Sequence, residues 1–146
     1  MLEAEANKKG RERLRAITNR LSEAELATLT GDGWTVGAAL GHLAFWDNRV
    51  RDLILRWKES GIGPSPIDTD NINDAMKPLL RAIPGREVVE QALRAAEAVD
   101  AEIENLPEEL KPGVEALVKE GKLRLDRSIH RNEHLDQIER ALADNR

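Results

Sequence analysis

Three histidines carry whatever imidazole chemistry this chain can do: His42, His130 and His134. His130 and His134 stand four residues apart within the apolar-patterned stretch 129–142. In a helix that spacing puts both rings on one face, one turn apart. A single metal ion can bridge such a pair. His42 lies far upstream, at the edge of another apolar helical stripe. Three imidazoles leave a metal with an open position for water or substrate, the pattern of a catalytic or ligand-binding centre. Such a centre acidifies its water and polarises a substrate oxygen or sulfur. The ordinary alternative is a set of surface or half-buried histidines on helices. Asp47, Asp126, Glu133 and Gln137 are the candidates to orient the rings, and periodicity alone does not choose among them.

Two rival motifs carry less. His130-Arg131-Asn132-Glu133-His134 matches H-x-x-E-H, the inverted zinc-protease pattern, with Glu133 as general base. Only twelve residues follow His134, too few for a further helix bearing another ligand. Residues 68–73 resemble a calcium loop, but Ile72 stands where a ligand is needed and Asn73 where glycine is needed. They read as a helix cap. With no cysteine, a disulfide scaffold, a thiolate zinc site and a cysteine nucleophile are all excluded.

The elements that must position the histidines follow from apolar periodicity. The first helix is expected over residues 3–21, with Ala6, Gly10, Leu14, Ile17 and Leu21 as its stripe and the basic run 8–15 as its solvated face. Ser22 and Glu25 read as a capping box, opening a short helix that ends near Leu29. Residues 30–33 form a loop. The second long helix starts after the N-cap Thr35. Its stripe is Val36, Ala39, Leu43, Trp46, Val50, Leu53 and Trp57, with His42 one turn from Ala39 and Trp46. Gly37 and Gly41 each cost about 1 kcal/mol in a helix; close approach of a neighbouring helix explains them, with ligand space beside His42 as the sharper alternative.

Residues 60–66 cross the surface, and a helical turn around 71–77 is broken by Pro78. The third long helix follows Gly85, with Val89, Ala92, Ala96, Val99, Ile103 and Leu106 as its stripe, and Pro107 stops it. A short helix fits within 108–119. The fourth long helix is expected from about Gly121 to Ala143, with Leu125, Ile129, Leu135, Ile138 and Leu142 apolar. Four long amphipathic segments without strands imply an all-α four-helix bundle, with short additional helices in the connections, formed by one domain over residues 1–146.

Composition agrees. Hydrophobic residues are 40% of the 146, enough for a core, while aromatics are only 3%, so Leu, Ile, Val and Ala must build it. The net charge of −5, with both signs interspersed, offers no basic footprint for nucleic acid. No stretch approaches the roughly 20 apolar residues that span a bilayer. The acidic start of the chain is no secretory signal, compatible with the cytoplasm.

The segment Gly33-Trp34-Thr35-Val36, followed by Leu40-Gly41-His42-Leu43-Ala44-Phe45-Trp46-Asp47, resembles the "W-[ST]-V…HLA…W-[DE]" segment of DinB-like proteins. Residues 130–138 resemble their C-terminal "H-x-x-E-H-x-x-Q-I" segment. Order, spacing and connecting lengths agree over nearly the whole chain. The resemblance implies an up-down-down-up four-helix bundle. It implies a divalent metal, nickel or zinc, held by His42, His130 and His134. It further implies a thiol-dependent transferase or isomerase acting with a low-molecular-weight thiol on a small electrophilic molecule, and a homodimer. No thiol-binding or catalytic residue is identified by it. The competing expectations are a non-catalytic small-molecule-binding or stress-related helical protein, and a metal-dependent hydrolase of a reactive natural product.

Overall fold

The computed structural model describes residues 2–31 and 33–144; Met1, Asp32 of the expected loop, Asn145 and Arg146 lie outside the described residues. Among the described residues the chain is all-helical, with seven α-helices and no strand beyond an isolated bridge between Leu29 and Thr35. The helices are α1 (Leu2–Arg20), α2 (Glu23–Leu26), α3 (Val36–Ser60), α4 (Thr69–Ala82), α5 (Gly85–Glu104), α6 (Lys111–Lys119) and α7 (Ser128–Asp144). None is long and apolar enough to cross a membrane.

Local chemistry sets most boundaries. The Ser22 hydroxyl accepts from the Glu25 N–H at 3.1 Å, and the Glu25 carboxylate accepts from the Ser22 N–H at 3.0 Å, forming the expected capping box. α2 stops at Leu26 rather than Leu29, because Thr28 and Thr30 pair instead with the chain entering α3. The Val36 N–H donates to the Thr28 carbonyl and the Thr30 N–H to the Trp34 carbonyl, each at 2.8 Å. Thr35 then caps α3, its hydroxyl accepting from the Ala38 N–H at 2.9 Å.

Two expectations need correction. Pro78 does not break the fourth helix: α4 runs 14 residues straight through it. Proline removes the hydrogen bond to the Asp74 carbonyl. Both residues are exposed, so water can reach that carbonyl. The helix is held by packing on α3 through a face that includes Ile72, Met76 and Leu80. Asp68 precedes α4 as expected, but its side chain makes no cap hydrogen bond.

The last helix begins at Ser128, seven residues later than expected. Gly121, at φ +73°, ends α6: the Lys122 N–H donates to the Leu117 carbonyl and the Gly121 N–H to that of Val118. This is the paired bonding of a glycine-terminated helix. Residues 122–127 then run as a strap, and Asp126 starts α7 by accepting from the Ser128 N–H at 3.0 Å and from its hydroxyl.

The four long helices pack in a ring: α3 on α5, α5 on α1, α1 on α7 and α7 on α3, with α4 against α3. One apolar cluster joins Leu14, Ile17, Leu40, Leu43, Ala92 and Leu135; a second joins Val50, Ile54, Trp57, Val99, Ile103 and Val114. Each buried Leu, Ile or Val contributes roughly 1.5–3 kcal/mol. A Cβ on Gly41 would stand 2.8 Å from Leu80 and 3.2 Å from Val88, and one on Gly37 would stand 3.3 Å from the Leu26 carbonyl. Close neighbours therefore account for both glycines. The basic run of α1 is only partly solvated: Arg11, Arg13 and Arg15 reach Asp100, Asp136 and Glu97 at 2.6, 2.6 and 2.7 Å.

Candidate metal centre

α3 carries His42 on the side that meets α7, and α7 returns His130 and His134 from consecutive turns. The three rings converge. His42 Nε2 and His130 Nε2 are 3.0 Å apart. Ring centroids lie 5.0 Å apart for His42–His130, 4.7 Å for His42–His134 and 4.8 Å for His130–His134, all edge to face. One ring nitrogen from each lies within 4.8 Å of the others, so the trio could hold a metal ion.

The donor set fits such an ion. Nitrogens about 2.0–2.1 Å from one ion stand roughly 3–3.4 Å apart, and the His42–His130 pair already meets that spacing. Burial, with help from His134, holds the His42 pKa down to about 4. Burial, then His134 and His42, and then Arg127 and Arg124, hold His130 to about 3. Both imidazoles are therefore neutral near pH 7, the form that ligates metal. Trp34 and Trp46 wall the site, with centroids 5.2 and 6.4 Å from His42.

The expected orienting residues do other things. Asp47 accepts from Arg127 at 2.9 Å and from Arg131 at 3.1 Å. Asp126 caps α7. Glu133 is exposed, which argues against a general base of the inverted protease kind, and Gln137 lines a different cavity beside Leu29 and Arg140. His42 Nδ1 is buried without a hydrogen-bond partner.

Instead, a buried ionic layer holds α7 in place. Arg131 has 0% exposure, and its two terminal nitrogens each donate to Asp100 at 2.9 Å. Arg11 reaches the same carboxylate, and Asp47 joins Arg131 to Arg127. Asn7 completes the tie. Its carboxamide oxygen accepts from the Arg127 and Ser128 N–H groups at 2.7 and 3.2 Å, and its amide donates to the Leu125 carbonyl at 3.0 Å. Thus α1, α3 and α5 all grip the first turn of α7, beside His130.

Sequence reasoning missed Asn7, Asp100, Arg127 and Arg131, and gave Asp47 the different role of orienting a histidine. A signal was present: Asn7, Asp47, Asp100 and Arg131 each occupy an apolar-stripe register, as in Arg131-Leu135-Ile138-Leu142. It also missed Asn73 of α4, whose side-chain oxygen accepts from the Trp46 indole at 2.9 Å.

An all-helical chain with three convergent imidazoles defines the class. A sequence profile of the DinB superfamily matches residues 6–137, and the chain belongs to that superfamily. No curated protein and no solved structure gives a match.

Proposed function

We propose that His42, His130 and His134 bind one divalent metal, nickel or zinc. We further propose a metal-dependent transferase that joins a low-molecular-weight thiol to a small electrophilic molecule. The observation that carries this is the convergence of all three histidines, from two helices, with one ring nitrogen of each within 4.8 Å of the others. When bound, the metal supplies Lewis acidity that favours the thiolate and polarises the electrophile. The chain's own residues do the rest. Arg131, clamped by Asp100 and Asp47, fixes the turn that carries His130. Trp34 and Trp46 exclude water from one side of the rings, and Asn73 holds Trp46 in place.

We also infer a single bundle domain over residues 1–146 with up-down-down-up topology. Paired contacts support it. Gly37 lies near Gly85 and Lys58 near Glu102, as for parallel α3 and α5. Asn7 lies near Leu125 and Arg13 near Asp136, as for parallel α1 and α7. His42 with His134 and Asp47 with Arg127 run oppositely.

The activity test mixes metal-loaded protein with a thiol and model electrophiles and follows thioether formation. Turnover that vanishes in His42→Ala and His134→Ala is expected. Turnover unchanged in those variants, or absent across thiols and electrophiles, contradicts the transferase assignment and favours a non-catalytic binding protein.

A further inference from the structure

Two of the three histidines, His42 and His130, face a cavity of about 320 Å³. Four cationic side chains line it, Arg49, Lys122, Arg124 and Arg127, and no carboxylate does. That is unexpected in a chain with 27 acidic and 22 basic residues. Arg127 is neutralised by Asp47, and Lys122 pairs at 3.0 Å with Glu120, which does not line the cavity. Arg49 and Arg124 have no ion-pair partner among the described residues. Arg49 is nevertheless held: it donates to the Ser65 carbonyl and hydroxyl at 3.1 and 2.9 Å and lies 6.0 Å from the Trp46 ring centre. A fixed guanidinium facing a cavity without a counter-charge is complementary to an oxyanion.

A second cavity of about 580 Å³ adjoins the first, sharing Arg49, Ile67, Gly121 and Lys122 in its wall. Its remaining wall includes Leu53, Trp57, Ile62 and Leu117, and again no carboxylate. Volumes of this order suit small organic ligands with one polar end.

We propose that Arg49, Lys122 and Arg124 form an oxyanion subsite beside the histidine triad, and that the site takes a small amphipathic carboxylate or phosphate. Its head lies on the cations and its apolar arm lies against Leu53, Trp57 and Leu117. Because the cations share a cavity with His42 and His130, the head is anchored beside the triad and the apolar arm points away from it into the second cavity. The proposal rests on the triad as the reactive centre, but the subsite itself uses none of the histidines.

The test is calorimetric titration with hexanoate, hexyl phosphate, acetate and 1-hexanol. It uses metal-loaded protein, chelator-treated protein and His42→Ala. Hexanoate or hexyl phosphate should bind about tenfold or more tightly than 1-hexanol, the worth of one charge-assisted hydrogen bond. Acetate should bind more weakly than hexanoate, and the preferred head separates the two oxyanion sources. Arg49→Gln and Arg124→Gln, checked for folding by circular dichroism, should each lose most of the preference; Arg124 is exposed, so its variant tests the idea without a folding risk. Binding that persists in chelator-treated protein and in His42→Ala supports the subsite even if the triad holds no metal. Equal binding of the alcohol, unchanged affinity in both arginine variants, or no saturable binding of either oxyanion overturns it.

Discussion

At the scale of single residues, the site depends on keeping two imidazoles uncharged. His42 and His130 have ordinary values near 6.5 and are held at about 4 and about 3. The unfolded chain therefore binds more protons than the folded one below about pH 6.5. The metal-free protein should lose stability progressively as pH falls from about 6.5 towards 3, and be insensitive to these groups above that window. Urea midpoints measured across this range check it, and His130→Gln should flatten the slope. A midpoint that rises on acidification would contradict the buried, neutral assignment. Thr35 makes a separate contribution, because its hydroxyl satisfies the Ala38 N–H at the start of the helix that carries His42. Thr35→Ala should cost about 1 kcal/mol in urea unfolding while leaving the three nitrogens in place.

At the scale of elements, α7 owes its position to charge as much as to apolar packing. Arg131 is wholly buried between Asp100 and Asp47, so Arg131→Met leaves two buried carboxylates with incomplete partners. A loss of about 3–5 kcal/mol is expected, the usual result of removing one member of a buried pair. Denaturant unfolding measures it, and a neutral outcome would show that the layer contributes little. The helices themselves were legible in sequence wherever the apolar period of three and four was clean, as in α1, α3 and α5. The start of α7 was not. Leu125 and Ile129 extend an apparent stripe backwards, yet Gly121 ends α6 and Asp126 caps a new start, while Ile129 is exposed. The true inward register runs through Ser128 and Arg131, and treating charge as a sign of exposure hid it. Pro78 misled in the other direction, since packing on α3 outweighs one missing hydrogen bond at a solvated position.

At the scale of the whole molecule, the fold brings residues 88 and 92 positions apart into one cluster of three rings. The candidate ligands were legible because the chain has only three histidines, two of them at helical spacing and the third in a segment resembling the DinB-like pattern. Their surroundings were not legible, because Asn73, Asp100 and the cations of residues 122–127 reach the site through tertiary packing. If the trio binds metal, it must also stabilise the folded chain by mass action. A free ion at about a hundred times its dissociation constant adds about 2.7 kcal/mol. Thermal unfolding should shift upward with added zinc or nickel in the wild type and not in His42→Ala. The most direct measurement is metal content of protein prepared without chelator or a metal-affinity tag, compared with folded His42→Ala, His130→Ala and His134→Ala. About one divalent ion per chain in the wild type and almost none in the variants is the expected result; wild type carrying no more metal than the variants would contradict the metal centre.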